Sequence, residues 1–352
     1  MVLIYRFFYL YRKSSRLFFL CALFLCSHSV HAKEVYTLKF ATLIPTGTSW
    51  SKTFDNWVKD VEEKSQGRLK FKMYSGGVMG DEPDVLRKIR KGQLHGGLFS
   101  GYGIGRIYSP ARVLELPFLF KNTDESDYVR QQLMPEIETG FRDSGFELLG
   151  WPEVGFIHFF SKHKIQSIED IRNSRIWLWQ GDPLGEALFS AADIKPVPLS
   201  IIDVYTQLSA KHGSIDTVYM STFGAIALQW YSQVNYGTHI SVTNAIGAVV
   251  ISNEFFNQLP DDLQLLLKIS GRIASDIIRE STRTENIKSK QLLIDNGIEF
   301  LWQWDETTSD EFVSIRDNAA AHLIETNYFP EAFFTRTLSL LNAYRQQHAA
   351  NP

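Results

Sequence analysis

Short β-forming segments alternate with amphipathic helical segments along the chain, and this order restricts the folds it can adopt more than any other feature. The first unit comprises a strand over Tyr36–Thr42, a helix with an apolar stripe from Trp50 to Val61, and a strand over Arg68–Tyr74. A third strand, rich in small residues, is predicted over Leu94–Ser100. Repeated strand–helix–strand units are typical of α/β domains, in which helices cover both faces of a parallel sheet.

The second half of the chain repeats this pattern and then becomes helical. Strands are predicted over Gly155–Ser161, Arg175–Trp179 and Ser214–Met220. Two helices, at about 184–192 and around 202–209, are predicted between the last two of these strands. A helical pattern then continues over about residues 261–295, and at 1.5 Å per residue such a helix would be about 50 Å long. This length exceeds the width of one small domain, so we expect the helix to cross two domains.

The sequence therefore predicts an α/β protein of two domains, each a mostly parallel sheet with flanking helices, joined by a long helix that spans both. The amino-acid sequence itself contains no internal repeat. The predicted parts are a signal peptide (1–32), domain I (33–154 and about 245–270), domain II (155–244 and about 286–330), the long helix (about 261–295) and a C-terminal helical tail (331–352).

The first 32 residues have the composition of a secretory signal peptide. Four basic residues between Arg6 and Arg16 precede the apolar run Leu17–Cys26, and Val30 and Ala32 place small residues at the two recognition positions of a signal peptidase. The ten-residue apolar run is too short to span a bilayer, although an uncleaved membrane anchor is the alternative interpretation. We therefore expect an exported protein located in the periplasm.

Cysteine content and charge exclude several classes of function. Both cysteines, Cys21 and Cys26, lie in the predicted signal peptide, so the mature chain would have no disulfide, no thiolate nucleophile and no cysteine-bound metal. Removing the four basic residues of that segment from the formal net charge of −3 leaves about −7. An acidic mature chain argues against a nucleic-acid partner, which would require a basic face.

Motifs for cofactors, metals and catalysis are weak or missing in the sequence. Gly101, Gly103 and Gly105 resemble a dinucleotide-binding loop, but the third glycine comes one residue too early. The histidines lack metal-ligand spacing, and no GxxxxGK[ST], GxSxG or HExxH motif occurs. The acids Asp81 and Glu82 are explained by a helix N-terminus. We predict no cofactor, no bound metal and no enzymatic activity.

Four separated phrases carry a resemblance to a known family. They are GRLKFKMYSGGVMGDEPDVLRKIRKGQL, LELPFLF, SIEDIRNSRIWLW and PVPLSIIDVYTQLSAKHGSIDT, and together they cover nearly all of residues 33–330 in the right order. These phrases resemble the periplasmic solute-binding (DctP-like) subunits of tripartite ATP-independent periplasmic (TRAP) transporters. The resemblance implies a two-domain periplasmic-binding-protein-like fold that closes over a ligand. It also implies delivery of that ligand to integral-membrane transporter subunits driven by an ion gradient.

The chain departs from the family pattern at the positions expected to contact the ligand. Typical members end the strand here written RIWLW with an arginine that pairs with a ligand carboxylate, and the resemblance places Trp177 at that position, with Arg175 two residues earlier. Two further family positions, usually polar, correspond to Ile157 and Met220. An acidic or polar position in the third strand corresponds to Ser100. The chain is therefore predicted to be an atypical member without the carboxylate-binding arginine.

These substitutions predict the position and chemistry of a ligand site. Ligands of open parallel sheets bind beyond the carboxyl ends of the strands, and side chains two residues apart, such as Trp177 and Trp179, point to the same face. Both tryptophans are also compatible with an ordinary core. Because an enclosed carboxylate without a paired cation is costly, we expect a largely apolar or aromatic ligand whose polar end contacts Gln180, Asp182 or Asn235. The predicted ligand-binding residues are Trp177, Trp179, Ile157, Met220, Phe99, Ser100, Tyr102, Phe156, Tyr219, Phe223, Gln180, Asp182, Ile201 and Asn235.

Three other functions remain open at this stage. The chain could be a sensor or accessory protein without a permease, or it could bind an ordinary carboxylate through a different cation. A periplasmic hydrolase that uses Asp81 or Asp182 is the third alternative. The sequence predicts a small-molecule ligand and membrane transporter subunits as partners, and it leaves open whether the protein is a monomer or a homodimer.

Overall fold

The computed structural model describes residues 34–303 and 306–349, so the predicted signal peptide lies outside the described residues. The strands are β1 (Tyr36–Ala41), β2 (Leu69–Tyr74), β3 (Gly96–Ser100), β4 (Phe146–Gly150), β5 (Glu153–Ser161), β6 (Trp177–Trp179), β7 (Val197–Leu199), β8 (Thr217–Ser221), β9 (Tyr236–Thr238), β10 (Thr243–Ser252) and β11 (Glu299–Leu301).

Helices occupy most of the remaining chain, and two short 3₁₀ segments cover Ser109–Glu115 and Trp230–Gln233. The α-helices are α1 (Ser49–Lys64), α2 (Glu82–Arg90), α3 (Gly101–Ile107), α4 (Thr123–Asp143), α5 (Ile168–Arg172), α6 (Pro183–Ala191), α7 (Ile201–Ser209), α8 (Thr222–Ala227), α9 (Asn253–Phe256), α10 (Asp261–Asp295), α11 (Glu306–Glu325) and α12 (Glu331–Ala349).

One mixed sheet organises the fold. Within the described residues it has nine strands, and its main path runs β11-β9-β5-β10-β3-β1-β2, with β4 beside β10 and β8 beside β5. Strand β1 runs parallel to β2 and β3, whereas β10 runs antiparallel to β3, β4 and β5. Strands β6 and β7 form a separate parallel pair. The prediction of mostly parallel sheets is therefore corrected to a mixed sheet, because the long strands β5 and β10 run antiparallel to their neighbours.

The long strand β10 was not recognised in the sequence. Most of its residues are buried, including Val249, Val250 and Ile251. A strand buried on both faces lacks the alternation of apolar and polar residues that marks a half-exposed strand, so its pattern resembles any short apolar run. Because β10 pairs with both β3 and β5, it joins the two halves of the sheet.

A helix occupies Asp261–Asp295, the residues over which the sequence predicts one. This helix, α10, packs against α1 and β4 and also against β5 and α8, so it contacts both halves of the fold. Its buried residues include Leu263, Leu267, Ala274 and Ile278. None of the helices in the described ranges 34–303 and 306–349 is both long enough and apolar enough to cross a bilayer.

His158 on β5 gives the folded protein a specific sensitivity to acid. Burial, together with the nearby Lys290 cation, lowers the pKa of His158 to about 4, and its Nδ1 lies 3.0 Å from the carbonyl oxygen of Ile240. The unfolded chain binds a proton at this residue below about pH 6.5, whereas the folded chain does so only near pH 4, so stability falls as the pH falls through this window.

We therefore expect the melting temperature of the wild-type protein to decline from pH 6.5 to pH 4, and the decline to be shallower in His158→Gln. Thermal unfolding of both proteins at half-unit pH steps measures the two slopes. Burial also lowers the pKa of His95 and His239, so the variant should reduce the slope without abolishing it. Identical slopes in the two proteins would contradict the assignment.

Candidate functional site

A cavity of about 190 Å³ opens where the carboxyl ends of β1, β3 and β6 meet the middle of β5 and β8. Its walls are mainly aliphatic and aromatic side chains from these strands and from the segments that follow them. This position agrees with the general preference of ligands for the carboxyl ends of strands in open α/β sheets. The sequence-predicted residues that line it are Phe99, Ser100, Tyr102, Ile157, Trp177, Trp179, Asp182, Ile201, Tyr219 and Met220.

Four sequence-predicted residues lie outside the described lining of the cavity. Phe156 points to the face of β5 opposite to Ile157 and packs against a hydrophobic core. The ring of Phe223 packs against Trp50 in a T-shaped arrangement, with 4.7 Å between centroids. Gln180 contacts Tyr102 through its backbone carbonyl, which accepts a hydrogen bond from the Tyr102 hydroxyl.

Asn235 is the fourth of these residues. It lies before β9, beyond the end of β5 that is remote from the cavity, and its side chain is exposed and donates to the carbonyl oxygen of Lys162 at 3.2 Å. The sequence prediction placed it near the ligand without knowledge of the strand order. The pairing of β5 with β9 directs Asn235 away from the site.

Trp177 is both a core residue and a wall of the cavity. Only 1 % of its surface is exposed, and its indole Nε1 donates to the carbonyl oxygen of Leu199 at 3.0 Å. Its ring stacks on Tyr219 with 4.8 Å between centroids and meets the edge of Trp230 at 5.3 Å. The two sequence interpretations of Trp177 are therefore compatible, since one face packs in the core while the residue also borders the cavity.

Trp179 has a different role from Trp177. Its indole Nε1 donates to Asp81 Oδ2 at 3.0 Å, and its ring lies 4.9 Å from the ring of Tyr102. Ser200 donates its hydroxyl to the same carboxylate oxygen of Asp81 at 2.5 Å. Asp81 is thus the N-cap of α2 and also a bridge between the start of α2 and the segment around β6 and β7.

Two further hydrogen bonds join the same parts of the chain. The hydroxyl of Tyr102 donates to the carbonyl oxygen of Gln180 at 2.7 Å, and Arg106 donates to the carbonyl oxygen of Gly181 at 3.1 Å. Both acceptors are backbone groups of the turn that follows β6. The turn that carries Asp182 is therefore held against α3 by side chains of the first half of the chain.

Arg112 is a charged cavity residue that sequence reasoning missed. It is the one cation among the described residues of the lining, and its side chain is 4 % exposed. Its Nη1 and Nη2 donate to the two carboxylate oxygens of Asp182 at 2.9 and 3.1 Å. Its Nε lies 2.5 Å from Glu115 Oε2. The guanidinium group is thus bound by two carboxylates of the protein itself.

The sequence contains a signal that could have identified Arg112. The residue and Glu115 lie three positions apart within the otherwise apolar phrase PARVLELPFLF. Charged residues are seldom fully buried unless they are paired, so an arginine and a glutamate within such a run indicate a buried ion pair. The third member, Asp182, is 70 residues away in sequence, and only the fold brings it to this pair.

Two buried glutamates complete the polar part of the site. Glu82 accepts hydrogen bonds from the backbone N–H groups of Ser100 (2.7 Å) and Gly103 (2.6 Å), and burial raises its pKa to about 8. Glu115 accepts from the backbone N–H of Ile246 at 2.8 Å, and burial raises its pKa despite the adjacent guanidinium. Because the pKa of Glu82 is raised to about 8, this side chain contributes little negative charge to the site near neutral pH.

The glycines of the GYGIG segment have a packing function. They lie inside helix α3 and do not form a loop ahead of a helix, which is inconsistent with the dinucleotide-binding motif they resemble. A Cβ atom on Gly101 would lie 1.7 Å from Glu115 Oε2, and one on Gly103 would lie 2.5 Å from Glu82 Oε2. Glycine at these positions lets the two carboxyl groups approach the helix backbone.

Arg175, the basic residue nearest to the family position at Trp177, lies outside the described cavity lining. Its Nε donates to Asp216 Oδ2 at 2.9 Å, its Nη1 donates to the carbonyl oxygen of Gly213 at 2.8 Å, and its side chain is 56 % exposed. Arg175 therefore joins residues 213–216 to the segment that precedes β6. In residues 34–303 and 306–349, no cluster of three or more histidine, cysteine, aspartate or glutamate residues is arranged to hold a metal ion.

Comparison with known proteins identifies the family. The family model DctP, described as bacterial extracellular solute-binding protein, family 7, matches residues 40–312, which is more than half of the chain. The chain belongs to the DctP family. Members of this family are solute-binding proteins and not enzymes, which agrees with the prediction from the sequence. A relative of the chain, a solute-binding protein of Chromohalobacter salexigens, is 29 % identical over 170 residues.

This alignment covers 47 % of the present chain and 49 % of the relative, so the chain spans about half the length of that protein.

Solved structures extend the similarity of this DctP-family chain to the whole fold. A TRAP periplasmic solute-binding protein of Roseobacter denitrificans with bound β-D-glucuronate has a TM-score of 0.79 and 18 % identity, with 86 % of this chain and 99 % of that chain covered.

The corresponding protein of Sulfitobacter sp. NAS-14.1, with bound β-D-galacturonate, has a TM-score of 0.77 and 18 % identity, with 88 % and 100 % covered. These similarities confirm the two-domain α/β periplasmic-binding-protein-like fold predicted from the sequence. At this level of identity they establish the fold alone for this DctP-family protein.

Proposed function

We propose that this protein is the periplasmic solute-binding subunit of a TRAP transporter, and that it captures a small organic ligand of largely apolar or aromatic character. Membership of the DctP family supports the transport function. In this proposal residues 1–32 act as the signal peptide, and the captured ligand passes to integral-membrane subunits driven by an ion gradient. The two domains, with the boundaries predicted from the sequence, close over the ligand.

The pairing of Arg112 with acids of the protein itself is the main support for the proposed ligand class. A carboxylate ligand would require a guanidinium group with free donors, as two parallel hydrogen bonds give such pairs their strength and direction. Both Nη groups of Arg112 already bind Asp182, and Nε faces Glu115. An incoming carboxylate would have to displace Asp182 and leave that acid buried beside Glu115. A neutral ligand has no such cost.

The walls of the cavity support the same ligand class. Ring faces and aliphatic chains dominate the surface around the ten sequence-predicted residues that line it, and these ten residues are the proposed ligand-binding residues. An aromatic side chain that buries about 150–250 Å² against a ligand contributes at most roughly 4–6 kcal/mol to the binding free energy, at about 25 cal/mol/Å² and before entropy losses. In this proposal a polar end of the ligand meets Glu82 and Ser100, which line the cavity, rather than Gln180 or Asn235.

Binding of an ordinary carboxylate through Arg112 is the second candidate function. The two solved structures similar to this chain hold galacturonate and glucuronate, both sugar acids. In that case Asp182 would move away from Arg112 when the ligand enters. A sensor or accessory role without a permease is a further alternative, and adjacent genes for small and large membrane transporter subunits would count against it.

A thermal-shift screen of the purified protein tests the ligand class. We expect apolar and aromatic solutes to raise the melting temperature, since a ligand at 100 times its Kd adds about 2.7 kcal/mol to the free energy of unfolding. Galacturonate, glucuronate, sialic acid and C4-dicarboxylates at the same concentrations should have little effect. The proposal is wrong if a sugar acid gives the large shift and Arg112→Gln removes it, because that result would assign Arg112 to a ligand carboxylate.

A further inference from the structure

A second cavity, of about 230 Å³, lies between α4, β4 and α10 and shares no lining residue with the ligand cavity. Its described lining is polar and rich in arginine, since Arg130, Arg272 and Arg279 all contribute to it. At about 30 Å³ per molecule, this volume corresponds to roughly seven or eight waters. It is therefore large enough for a small polyatomic ion.

Four buried hydrogen-bonding atoms in this cavity have no partner among the residues that the structure describes. They are Nε of Arg130, Nε of Arg279, Nε1 of Trp151 and Oγ of Ser275. Trp151 and Ser275 are 95 % and 98 % buried, so bulk water does not satisfy these two side chains. An unsatisfied buried polar group destabilises the folded protein, and four of them in one cavity require an explanation.

The chemistry of these four atoms selects the kind of ligand. Arginine and tryptophan side chains carry only donors, and the serine hydroxyl can act as a donor. A ligand that satisfies all four must therefore offer several acceptors. Sulfate does so without any donor of its own, and phosphate near neutral pH brings only one or two O–H groups beside its remaining acceptor oxygens. Each water molecule, in contrast, has two O–H groups that need acceptors of their own.

The lining residues carry a net charge of +1, since three arginines stand against two acids. Behind the lining, the half-buried carboxylate of Asp127 lies 3.2 Å from Arg130 and 3.9 Å from Arg279. Asp127 also accepts two hydrogen bonds from Arg283, at 2.8 and 2.9 Å, and Arg283 is shared with Glu153. The surface that a ligand meets in this cavity is therefore cationic, and the compensating acids lie behind it.

Both acids of the lining are paired with an arginine of the same cavity. Glu138 pairs with Arg272 at 3.0 Å, and Asp276 pairs with Arg279 Nη1 at 2.8 Å. The side chain of Asp276 is 65 % exposed, so solvent screens its contribution. Burial and the neighbouring Arg279 cation lower the pKa of Arg130.

We propose that this cavity is a binding site for a small tetrahedral oxyanion, of the inorganic phosphate or sulfate class, held by Arg130, Arg279, Trp151 and Ser275. The anion connects α4 and the end of β4 to the long helix α10. Its binding is independent of the solute in the ligand cavity, and it stabilises the packing of α10 on the first half of the sheet.

The test uses the full purified chain, exchanged into a phosphate- and sulfate-free chloride buffer. Isothermal titration with inorganic phosphate, and separately with sulfate, is expected to show one site. Either anion should raise the melting temperature by several degrees more than sodium chloride of equal ionic strength. No difference from sodium chloride would overturn the proposal, because water would then fill the cavity.

Variants locate the site. Arg279→Gln and Ser275→Ala are each expected to raise the Kd for phosphate at least tenfold. Because Ser275→Ala removes only one hydroxyl group, it keeps the test valid if Arg279→Gln does not fold. Arg87→Gln, which removes an exposed arginine of α2, is the matched control and should leave the Kd unchanged. Binding that persists in Ser275→Ala and Arg279→Gln but disappears in Arg112→Gln would place the anion in the ligand cavity and overturn the proposal.

Discussion

Asp182→Ala is expected to lower the free energy of unfolding by about 3–5 kcal/mol, because it leaves the buried guanidinium group of Arg112 without its bidentate partner. Both side chains of this pair are at least 92 % buried, and two hydrogen bonds of 2.9 and 3.1 Å join them. Glu115 would remain as the sole acidic neighbour of Arg112. Urea unfolding of the wild-type and variant proteins at pH 7 measures the loss.

Two further variants separate the loss of the ion pair from the loss of the helix cap in Asp182→Ala. Asp182 is also the N-cap of α6, where its Oδ1 accepts from the backbone N–H of Leu184 at 3.3 Å, and loss of a cap costs about 1 kcal/mol. Asp182→Asn keeps the cap and removes the charge, so it should lose most of the stability that Asp182→Ala loses. The double variant Arg112→Met with Asp182→Leu should recover much of it, since apolar replacement of a buried pair is often neutral.

The same variant tests the ligand proposal. If Asp182 is what keeps Arg112 from binding acids, then Asp182→Ala should gain affinity for acetate or galacturonate, which can take the place of the missing carboxylate. The expected signs are a partial recovery of the melting temperature with added acetate and a measurable Kd for galacturonate. If Asp182→Ala is as stable as the wild-type protein and does not respond to acetate, the ion pair contributes little to the free energy of unfolding.

Trp177→Arg is expected to abolish binding of the natural ligand and to destabilise the fold by several kcal/mol. The indole of Trp177 packs on Tyr219 and Trp230 and donates to Leu199. Loss of a buried tryptophan side chain costs about 3–5 kcal/mol in cavity formation, and the buried cation that replaces it adds a desolvation penalty. Thermal unfolding, and titration with whichever apolar solute scores in the screen, measure the two effects.

Trp177→Phe is the graded control for this experiment. It keeps an aromatic ring against Tyr219 and loses the hydrogen bond to Leu199, so we expect a smaller loss of stability and weaker, but detectable, ligand binding. Near wild-type affinity for the apolar solute in Trp177→Arg would contradict the assignment of Trp177 to the ligand site. Such a result would not change the assignment of the family or of the fold.

Sequence reasoning worked best where the signal is local. The alternation in YTLKFAT and in RLKFKMY predicted β1 and β2 to within one residue, because half-buried strands alternate polar and apolar side chains. The spacing of two residues between Trp177 and Trp179 placed both rings on the cavity side of β6. Local patterning failed for β10, whose burial on both faces removes the alternation.

The family was predicted from the resemblance of separate phrases of the sequence, and comparison confirms it. The two-domain fold was predictable because it depends on local propensity and on the order of elements. The charge state of the cavity could not be predicted in this way. It depends on Arg112 and Asp182, which lie 70 residues apart and meet only because the turn after β6 folds against α3. An ion pair of this kind leaves no periodic trace in the sequence, since its energy arises from burial and geometry that the tertiary structure alone creates.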